Sequence, residues 1–398
     1  MGMIHGQCYQ AVVISRLEQE TVSPRALNNN GLWAGAVISS GGLEIAARRM
    51  TTNTVQYGTI GGASSCLLAI NDNDWAVGYS YDGNGVERAV LQRGDNLEDL
   101  SLSQPAGFGA SSALGVSNYG HVTGWVLDEA GLMRAFLYFQ GEFTLLGNFD
   151  ASQIGHDVND TGTVVGTSKT DDGKMRGFIH RPAGTLEYVP GLGGELTKAY
   201  ALNSSFSVVG ESATILGEKR AYLYNYHSRA ITNLGVLDGH IASRALAIND
   251  RSQVVGESID GAGRKRGFLY TGGKLYDLNH MISQDDPLTV CSAFAINDFG
   301  EILAEALYDG ESVTVQLSPL EISRTSIDAS AAGFTSPGVF SFKLTGPAGS
   351  NYVVQCSTDC ATWRDISEPT SFGTSPAYFQ DDATGDAVIT LYRLRLVD

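Results

Sequence analysis

The chain has 398 residues, too many for one ordinary compact core, so its length predicts two domains or a repeat architecture. Its hydrophobic content of 43% is that of a globular protein, and 48 glycines with only 10 prolines indicate many turns rather than a disordered tract. Acidic residues number 43 and basic residues 26, and the net charge of −17 disfavours binding to nucleic acids or anionic membranes. The sequence contains no run of about 18 apolar residues, so it predicts no membrane-spanning helix.

The first residues, MGMIHGQCYQAVVISRL, lack the basic region and the long apolar stretch of a secretory signal peptide. Either a signal was removed before this chain begins, or the protein is not exported by that route. The five cysteines are odd in number and do not decide the compartment.

A seven-fold repeat follows. A phrase close to AIND recurs at intervals of 42 to 48 residues, with its asparagine, or one serine in its place, at Asn28, Asn71, Ser117, Asn159, Asn203, Asn249 and Asn297. Seven residues later a VVG-like run ends, at Gly35, Gly78, Gly124, Gly166, Gly210, Gly256 and Ala304. Ten residues beyond that, the five middle copies carry an arginine, at Arg88, Arg134, Arg176, Arg220 and Arg266. The offsets within a copy are constant while the loops between copies vary, which indicates a structural repeat.

Each copy contains four short runs rich in β-branched and aromatic residues, such as ALAIN, QVVGES, RGFLY and KLYDL, separated by turn signals such as DGNG and DGAG. Four strands in roughly 40 to 50 residues predict one blade of a β-propeller, which must stack on its neighbours to cover both faces. The seventh copy stops without a fourth strand, whereas CYQAVVISRL precedes the first copy. The sequence therefore predicts an all-β, seven-bladed β-propeller over residues 1–320, closed by its N-terminal strand.

At these motifs the chain resembles the HAF-repeat proteins of bacteria, named for a His-Ala-Phe triplet in a setting such as AINxxGxVVGxS followed by HAFL. AIND and VVG match, whereas arginine replaces the family histidine in RAF at Arg134, RGF at Arg176 and Arg266, and RAY at Arg220. The resemblance spans roughly residues 9 to 318. It implies the propeller fold and an extracellular or cell-surface location, and it implies no particular activity.

Beyond residue 320 the composition changes. Residues 321–335 are rich in Ser, Ala and Gly and predict a linker, and residues 336–398 contain short alternating runs that predict a small β-sandwich. YVVQCSTDCATWRDI and LYRLRLVD resemble the immunoglobulin-like C-terminal module of exported bacterial proteins, which implies an accessory domain with Trp363 in its core. Cys356 and Cys360 flank a short turn, and either a small disulfide or two free thiols fits this spacing.

The repeated asparagines are predicted to have a structural role. An asparagine at the end of a strand can bond backbone groups two residues on, and it tolerates left-handed backbone geometry. This interpretation covers Asn71, Asn159, Asn203, Asn249 and Asn297, and equally the adjacent Asp72, Asp160, Asp250 and Asp298. The VVG glycines are expected to allow a close approach between stacked blades.

The five repeated arginines are the first candidates for ligand binding. Each begins a predicted third strand beside a hairpin, so Arg88, Arg134, Arg176, Arg220 and Arg266 would form a partial ring of guanidinium groups on one rim. Such a ring could receive an anionic glycan, because arginine binds carboxylates and sulfates through two hydrogen bonds. The alternative is that each arginine pairs with an acidic neighbour, such as Asp82 or Glu87.

His156 and His240 are further candidates on the same rim. The pattern places His156 just before one first strand and His240 in the loop before another, with Tyr200 and Arg244 nearby in the repeat. A surface or core histidine is the alternative for each. No GxSxG, no HExxH and no paired zinc-ligand spacing is present, and DGNG lacks the other ligands of a calcium loop, so no metal or cofactor is predicted.

The sequence therefore favours a non-catalytic extracellular or surface protein that binds a glycan or a protein partner at the propeller rim, with self-association into an assembly as a variant. The alternative is a polysaccharide lyase or glycoside hydrolase that acts at this rim. Fold alone does not choose between them. The discriminating observation is whether any two of His156, His240, Tyr200 and Arg244 meet in one cleft.

Overall fold

A computed structural model describes residues 9–15, 21–50, 53–147, 151–170, 172–182, 184–283, 287–319, 326–336, 339–345, 351–357, 363–371, 377–382 and 391–397. The chain divides into two compact units, Met1–Pro319 and Leu320–Asp398. The first unit contains seven four-stranded antiparallel sheets, numbered here as blades 1 to 7. The prediction of an all-β repeat of four-stranded units is confirmed.

The strands of each blade are given from the first to the fourth. Blades 1 and 2 consist of β2 (Thr21–Leu27), β3 (Trp33–Ile38), β4 (Glu44–Arg49) and β5 (Thr54–Gly58), and of β6 (Gly61–Ile70), β7 (Ala76–Asp82), β8 (Glu87–Arg93) and β9 (Asn96–Asp99). Blades 3 and 4 consist of β10 (Ser111–Val116), β11 (Val122–Leu127), β12 (Met133–Phe139) and β13 (Glu142–Leu145), and of β14 (Gln153–Val158), β15 (Val164–Lys169), β16 (Met175–His180) and β17 (Leu186–Tyr188). Blades 5 and 6 consist of β18 (Gly193–Leu202), β19 (Ser207–Thr214), β20 (Lys219–Asn225) and β21 (Ala230–Gly235), and of β22 (His240–Ile248), β23 (Val254–Asp260), β24 (Lys265–Thr271) and β25 (Lys274–Asp277). Blade 7 consists of β26 (Leu288–Ile296), β27 (Ile302–Tyr308), β28 (Glu311–Pro319) and, from the start of the chain, β1 (Tyr9–Val13).

The fourth strand of blade 7 comes from the beginning of the chain. β1 pairs antiparallel with β28, so that Tyr9 faces Pro319 and Val13 faces Val315. Two short 3₁₀ helices, Leu100–Ser103 and Leu278–His280, follow the fourth strands of blades 2 and 6.

The hydrophobic core lies between neighbouring blades, because one four-stranded sheet cannot cover its own two faces. The cluster of Ala201, Val209, Ala245 and Phe268, for example, joins blade 5 to blade 6. Four fully buried aromatic side chains follow the repeated arginines by two residues and fill these interfaces: Phe136, Phe178, Tyr222 and Phe268.

Every first strand of the seven blades contains a β-bulge, three residues before the repeated asparagine position. In blade 5 the register shifts between Ala199 and Ala201, so that Tyr200 has no partner on β19. The bulged residues are Arg25, Leu68, Leu114, His156, Tyr200, Leu246 and Phe294. A Cβ atom on Gly210 would lie 1.9 Å from the carbonyl oxygen of Lys198. The VVG glycine is therefore required by a close approach within its own blade, and the expectation of a close approach between blades is wrong.

The repeated asparagines close a tight turn between the first and second strands. The Oδ1 of Asn249 accepts hydrogen bonds from the N–H of Arg251 at 3.1 Å and from that of Gln253 at 2.9 Å. We call the end of the blades that carries these turns the turn rim. Because the strands alternate in direction, the hairpins between second and third strands lie at the opposite end, the hairpin rim.

The same asparagines also join the blades. In six seams between blades, the Nδ2 of one residue donates to the backbone carbonyl of the equivalent residue in the next blade, over 2.8 to 3.5 Å. The donor–acceptor pairs are Asn28–Asn71, Asn71–Ser117, Asn159–Asn203, Asn203–Asn249, Asn249–Asn297 and Asn297–Asn28. Ser117 makes no such bond to blade 4, and its hydroxyl accepts from His121 N instead. The last pair joins blade 7 to blade 1.

A second circle of hydrogen bonds is formed by the residues that follow the asparagines. Each backbone N–H donates to the side chain of the equivalent residue in the next blade, over 2.7 to 2.9 Å. The donor–acceptor pairs are Asn29–Asp72, Asp72–Asn118, Asn118–Asp160, Ser204–Asp250, Asp250–Asp298 and Asp298–Asn29. In the remaining seam, between blades 4 and 5, Asp157 Oδ2 accepts from Leu202 N at 3.0 Å.

The second unit, in its described part, forms two further sheets. Their strands are β29 (Ser326–Ser336), β30 (Val339–Thr345), β31 (Asn351–Ser357), β32 (Arg364–Asp365), β33 (Thr370–Ser371), β34 (Ala377–Asp382) and β35 (Leu391–Val397). β30 lies between β29 and β34, and β31 pairs with β32, β33 and β35. Most of the segment predicted as a linker, residues 321–335, is therefore strand β29. Trp363 is half-buried, Cys356 is buried in β31, and Cys360 lies outside the described residues.

Candidate functional site

The five repeated arginines lie where the sequence predicts them, at the second residue of the third strands in blades 2 to 6. Four of them contact a carboxylate on or near their own hairpin. The ion pairs are Arg88–Asp82 at 3.0 Å, Arg134–Asp128 at 2.7 Å, Arg220–Glu218 at 3.0 Å and Arg266–Asp277 at 3.3 Å. These four guanidinium groups do not form an open ring for an anionic ligand.

Two of these arginines also bind the next blade. Arg88 Nη1 donates to Gly109 O at 3.1 Å, and Arg220 Nη1 donates to Ile241 O at 2.7 Å. The acceptors lie just before, or at the beginning of, the first strand of the following blade. The paired arginines thus stabilise the hairpins and tie them to neighbouring blades.

Arg176 in blade 4 is different. Its Nη1 lies 3.5 Å from Gly194 O, and no carboxylate of the described residues lies within ion-pair distance of its guanidinium. It lines an open groove of about 590 Å³ on the hairpin rim. The other lining residues are Thr170, Asp172, Tyr188, Val189, Pro190 and Gly191. The groove therefore combines a cation, a hydroxyl, a carboxylate and a tyrosine that is 43% exposed.

The second group of sequence candidates is partly brought together by the structure. The rings of His156 in blade 4 and Tyr200 in blade 5 meet edge to face, with their centroids 5.6 Å apart. Burial and then the charge of Glu211 raise the pKa of Tyr200, whereas Arg244 of blade 6 acts in the opposite direction. His156, Tyr200 and Arg244 thus form one cluster across two seams.

Two glutamates in this cluster were not predicted. Glu211 and Glu257 follow the VVG glycine directly, and their side chains are 7% and 4% exposed. Glu257 lies 2.7 Å from Arg244 Nε and 3.2 Å from Lys265 Nζ. Glu211 lies 3.7 Å from Lys219 Nζ. The sequence feature that could have revealed them is the glutamate directly after the glycine of VVGES. Blades 2 to 4 have tyrosine, tryptophan and threonine at this position.

The two histidines differ in position from the sequence prediction. His156 lies inside β14, as its bulged residue, and not in a loop before it. Burial first, and Lys198 second, lower the pKa of His156 to about 4, so it is uncharged at neutral pH. His240 is the first residue of β22 and faces Asp260 in the sheet, and its buried Nδ1 has no hydrogen-bond partner in the described structure.

Among the described residues, no group of three His, Cys, Asp or Glu side chains is arranged to hold a metal ion. Within these residues there is also no helix of the length and apolarity that crossing a bilayer requires.

The solved structures to which this chain is similar have low sequence identity to it. One is a puromycin-hydrolysing peptidase of Mycobacterium tuberculosis, with a TM-score of 0.51 and 13% identity over 83% of this chain and 59% of that chain. Others are the BP39L lectin of Burkholderia pseudomallei, at 0.44 and 10% over 73% and 92%, and TolB of Acinetobacter baumannii, at 0.40 and 11% over 62% and 63%. This chain therefore spans about three fifths of the peptidase's length. No protein-family model and no curated protein matches the chain.

Proposed function

We propose that this protein is a non-catalytic binding protein that receives a glycan or a protein partner on the hairpin rim of a seven-bladed propeller. In this proposal β1 is the strand that closes the ring, the second unit is an accessory β-sandwich, and the chain is an extracellular or cell-surface member of the HAF-repeat group. The repeat motifs and the pairing of β1 with β28 support the fold part of the proposal.

The difference between the two rims is the observation that supports a binding role. The turn rim repeats the asparagine turn in six of the seven blades and is held by two circles of hydrogen bonds, each interrupted at one seam. The hairpin rim differs in sequence between blades and contains the groove at Arg176 and Tyr188. A rigid scaffold that presents variable loops is a common arrangement for recognition. The mix of hydroxyl, carboxylate, guanidinium and aromatic groups in the groove suits a hydroxylated ligand better than an apolar one.

The test is a binding screen with the full chain. Isothermal titration against neutral and acidic oligosaccharides should reveal at least one class that binds, and the same samples should release no new reducing ends or unsaturated uronates. Light scattering on the same preparation measures self-association. If no saccharide binds and the chain remains a monomer without captured protein partners, the proposal fails.

A second candidate function is a glycoside hydrolase or polysaccharide lyase. The observation in its favour is the cluster of Tyr200, Arg244, Glu211 and Glu257, in which a phenol lies among two buried carboxylates and a guanidinium. However, each carboxylate contacts a cation of its own blade, which suits a structural ion network equally. Product release that is lost in Tyr200→Phe and in Glu257→Gln would establish the enzyme and contradict the binding proposal.

A further inference from the structure

The third-strand arginine has a fixed partner in blades 2 and 3. An aspartate six residues earlier, Asp82 or Asp128, begins the hairpin and accepts hydrogen bonds from two backbone N–H groups of that hairpin through one oxygen. Its other oxygen binds the arginine, at 3.0 Å for Arg88 and 2.7 Å for Arg134. In these two blades the hairpin itself thus supplies the partner of the guanidinium.

Blade 4 has lost this partner. Thr170 stands six residues before Arg176, in the place of the aspartate, and its hydroxyl donates to Asp172 at 2.5 Å. Asp172 in turn lies 3.2 Å from Lys174 Nζ, which also lies 3.2 Å from Glu195. Lys174 therefore takes both carboxylates that stand near this hairpin in the described structure, and Arg176 has none.

Blade 5 shows that the loss can be compensated. Thr214 replaces the aspartate there as well, but Glu218, two residues before Arg220, binds the guanidinium at 3.0 Å. In blade 4 the residue two before Arg176 is Lys174, so the same position adds a positive charge instead of removing one. Arg176 is thus the exception among the five for a reason that is visible in its hairpin.

We propose that Arg176 binds the acid group of a saccharide, a carboxylate or sulfate, whose ring lies in the groove beside Tyr188. This inference rests on the proposed binding function and narrows it to acidic glycans at one blade. A half-buried guanidinium offers two parallel donors to a planar or tetrahedral oxyanion, and the hydroxyl of Thr170 adds a polar group at the groove wall. The net charge of −17 does not attract anions over a distance, so recognition depends on this local site.

The experiment is an isothermal titration of the full chain with three probes: a trimer of galacturonic acid, its methyl ester, and a sulfated trisaccharide. We expect the free acid, the sulfate or both to bind, and the neutral ester to bind at least tenfold more weakly than the acid. Arg176→Ala should weaken binding of the acidic probe about 10- to 100-fold, as expected for the loss of a charge-assisted pair. Arg134→Ala is the matched control, because this arginine has the same position but is occupied by Asp128, and its dissociation constant should stay within about twofold of the wild-type value.

Thr170→Asp tests the inference without removing the arginine. It restores the aspartate of blades 2 and 3 at this position, although Lys174 stands where those blades have Val86 and Leu132. The new carboxylate beside Arg176 should weaken binding of the acidic probes at least tenfold while the melting temperature is kept or raised. Equal binding of the acidic probes by the wild type, Arg176→Ala and Thr170→Asp would overturn the inference. Binding of neutral saccharides alone would also overturn it but would leave the proposed binding function intact, whereas failure of the whole panel and of partner capture removes both.

Discussion

At the scale of single residues, two neighbours in the bulge of β14 have pKa values that are shifted toward each other's usual range. Burial raises the pKa of Asp157 to about 7, against the two backbone hydrogen bonds from Leu202 and Val158 that favour its ionised form. Burial also lowers the pKa of His156 to about 4. Near neutral pH an uncharged histidine thus lies next to a carboxyl that is partly protonated.

The two shifts have opposite effects on stability. Between about pH 7 and pH 4 the folded chain holds a proton on Asp157 that the unfolded chain has released, so this residue stabilises the fold as the pH falls. Below about pH 6.5 the unfolded chain protonates His156 whereas the folded chain does not until about pH 4, so this residue destabilises the fold as the pH falls. Both residues keep some solvent contact, and we expect each effect to be on the order of 1–2 kcal/mol.

We predict that single variants separate these effects. His156→Gln should gain stability relative to the wild type as the pH falls from 7 to 4.5, because the destabilising effect of His156 is removed and the stabilising effect of Asp157 remains. Asp157→Ala, which places the small residue of the other blades here, should lose stability over the same interval. Urea unfolding at four pH values measures both, and parallel pH profiles for all three proteins would contradict the assigned shifts.

At the scale of elements, the bulge of each first strand and the glycine of each second strand form one unit. The bulge brings the carbonyl of Lys198 over the Cα of Gly210, as it does for the equivalent pairs in five other blades. Blade 7, which has Ala304 at this position, is the exception. The glycine therefore follows from a backbone contact and not from its conformational freedom.

We predict that Gly210→Ala lowers the free energy of unfolding by at least about 2 kcal/mol, because a methyl group 1.9 Å from a carbonyl oxygen forces the two strands apart. Gly261→Ala is the matched control, since a Cβ there meets no atom within 4 Å. Its effect should stay within about 0.5 kcal/mol. Chemical denaturation of both variants checks the pair, and an equal effect of the two would refute the bulge argument.

The strands and their order were predictable because alternating apolar residues and turn signals recur at constant offsets. The bulges are not predictable, because nothing in the sequence marks a bulged residue such as His156, and the repeat pattern puts this residue in a loop. Strand β29 was missed because its Ser, Ala and Gly residues are those of a linker, although the backbone of the strand is paired with β30. The pairing of Arg88 with Asp82 confirms the alternative that the sequence offered for this arginine. The missing partner at Arg176 depends on single hairpin residues such as Thr170, whose effect the sequence alone does not show.

At the scale of the whole first unit, the AIND motif has two functions that the sequence shows only in part. The local turn was expected, whereas the bonds between blades connect residues 42 to 48 positions apart, and one pair joins Asn297 to Asn28 across 269 positions. Each such bond contributes about 1 kcal/mol net, and several in a circle couple the stability of all blades.

We predict that two substitutions of Asn249 lower the stability of the fold to different extents. Asn249→Ala removes the bonds to the N–H groups of Arg251 and Gln253 as well as the bond to Asn297 O, and should destabilise the chain by about 2–4 kcal/mol. Asn249→Ser imitates Ser117 of blade 3, which keeps a bond to its own turn but none to the next blade. Asn249→Ser should therefore lower the free energy of unfolding by about half as much as Asn249→Ala. Thermal unfolding of both variants measures the difference. Equal losses for the two variants would mean that the bond between blades contributes nothing.

In all twelve asparagine and neighbouring-residue bonds of the two circles the donor lies on one blade and the acceptor on the following one, whereas the bond from Leu202 to Asp157 between blades 4 and 5 runs the other way. Each blade thus meets its two neighbours through different surfaces, in a head-to-tail arrangement that resembles a cyclic oligomer more than a single globule. A series of head-to-tail contacts leaves no unpaired surface only when the last member contacts the first, and here blade 7 contacts blade 1. Whenever β1 leaves β28, the exposed edge of blade 7 is complementary to the β1 of another copy. We therefore predict that separation of β1 from β28 favours strand exchange between molecules.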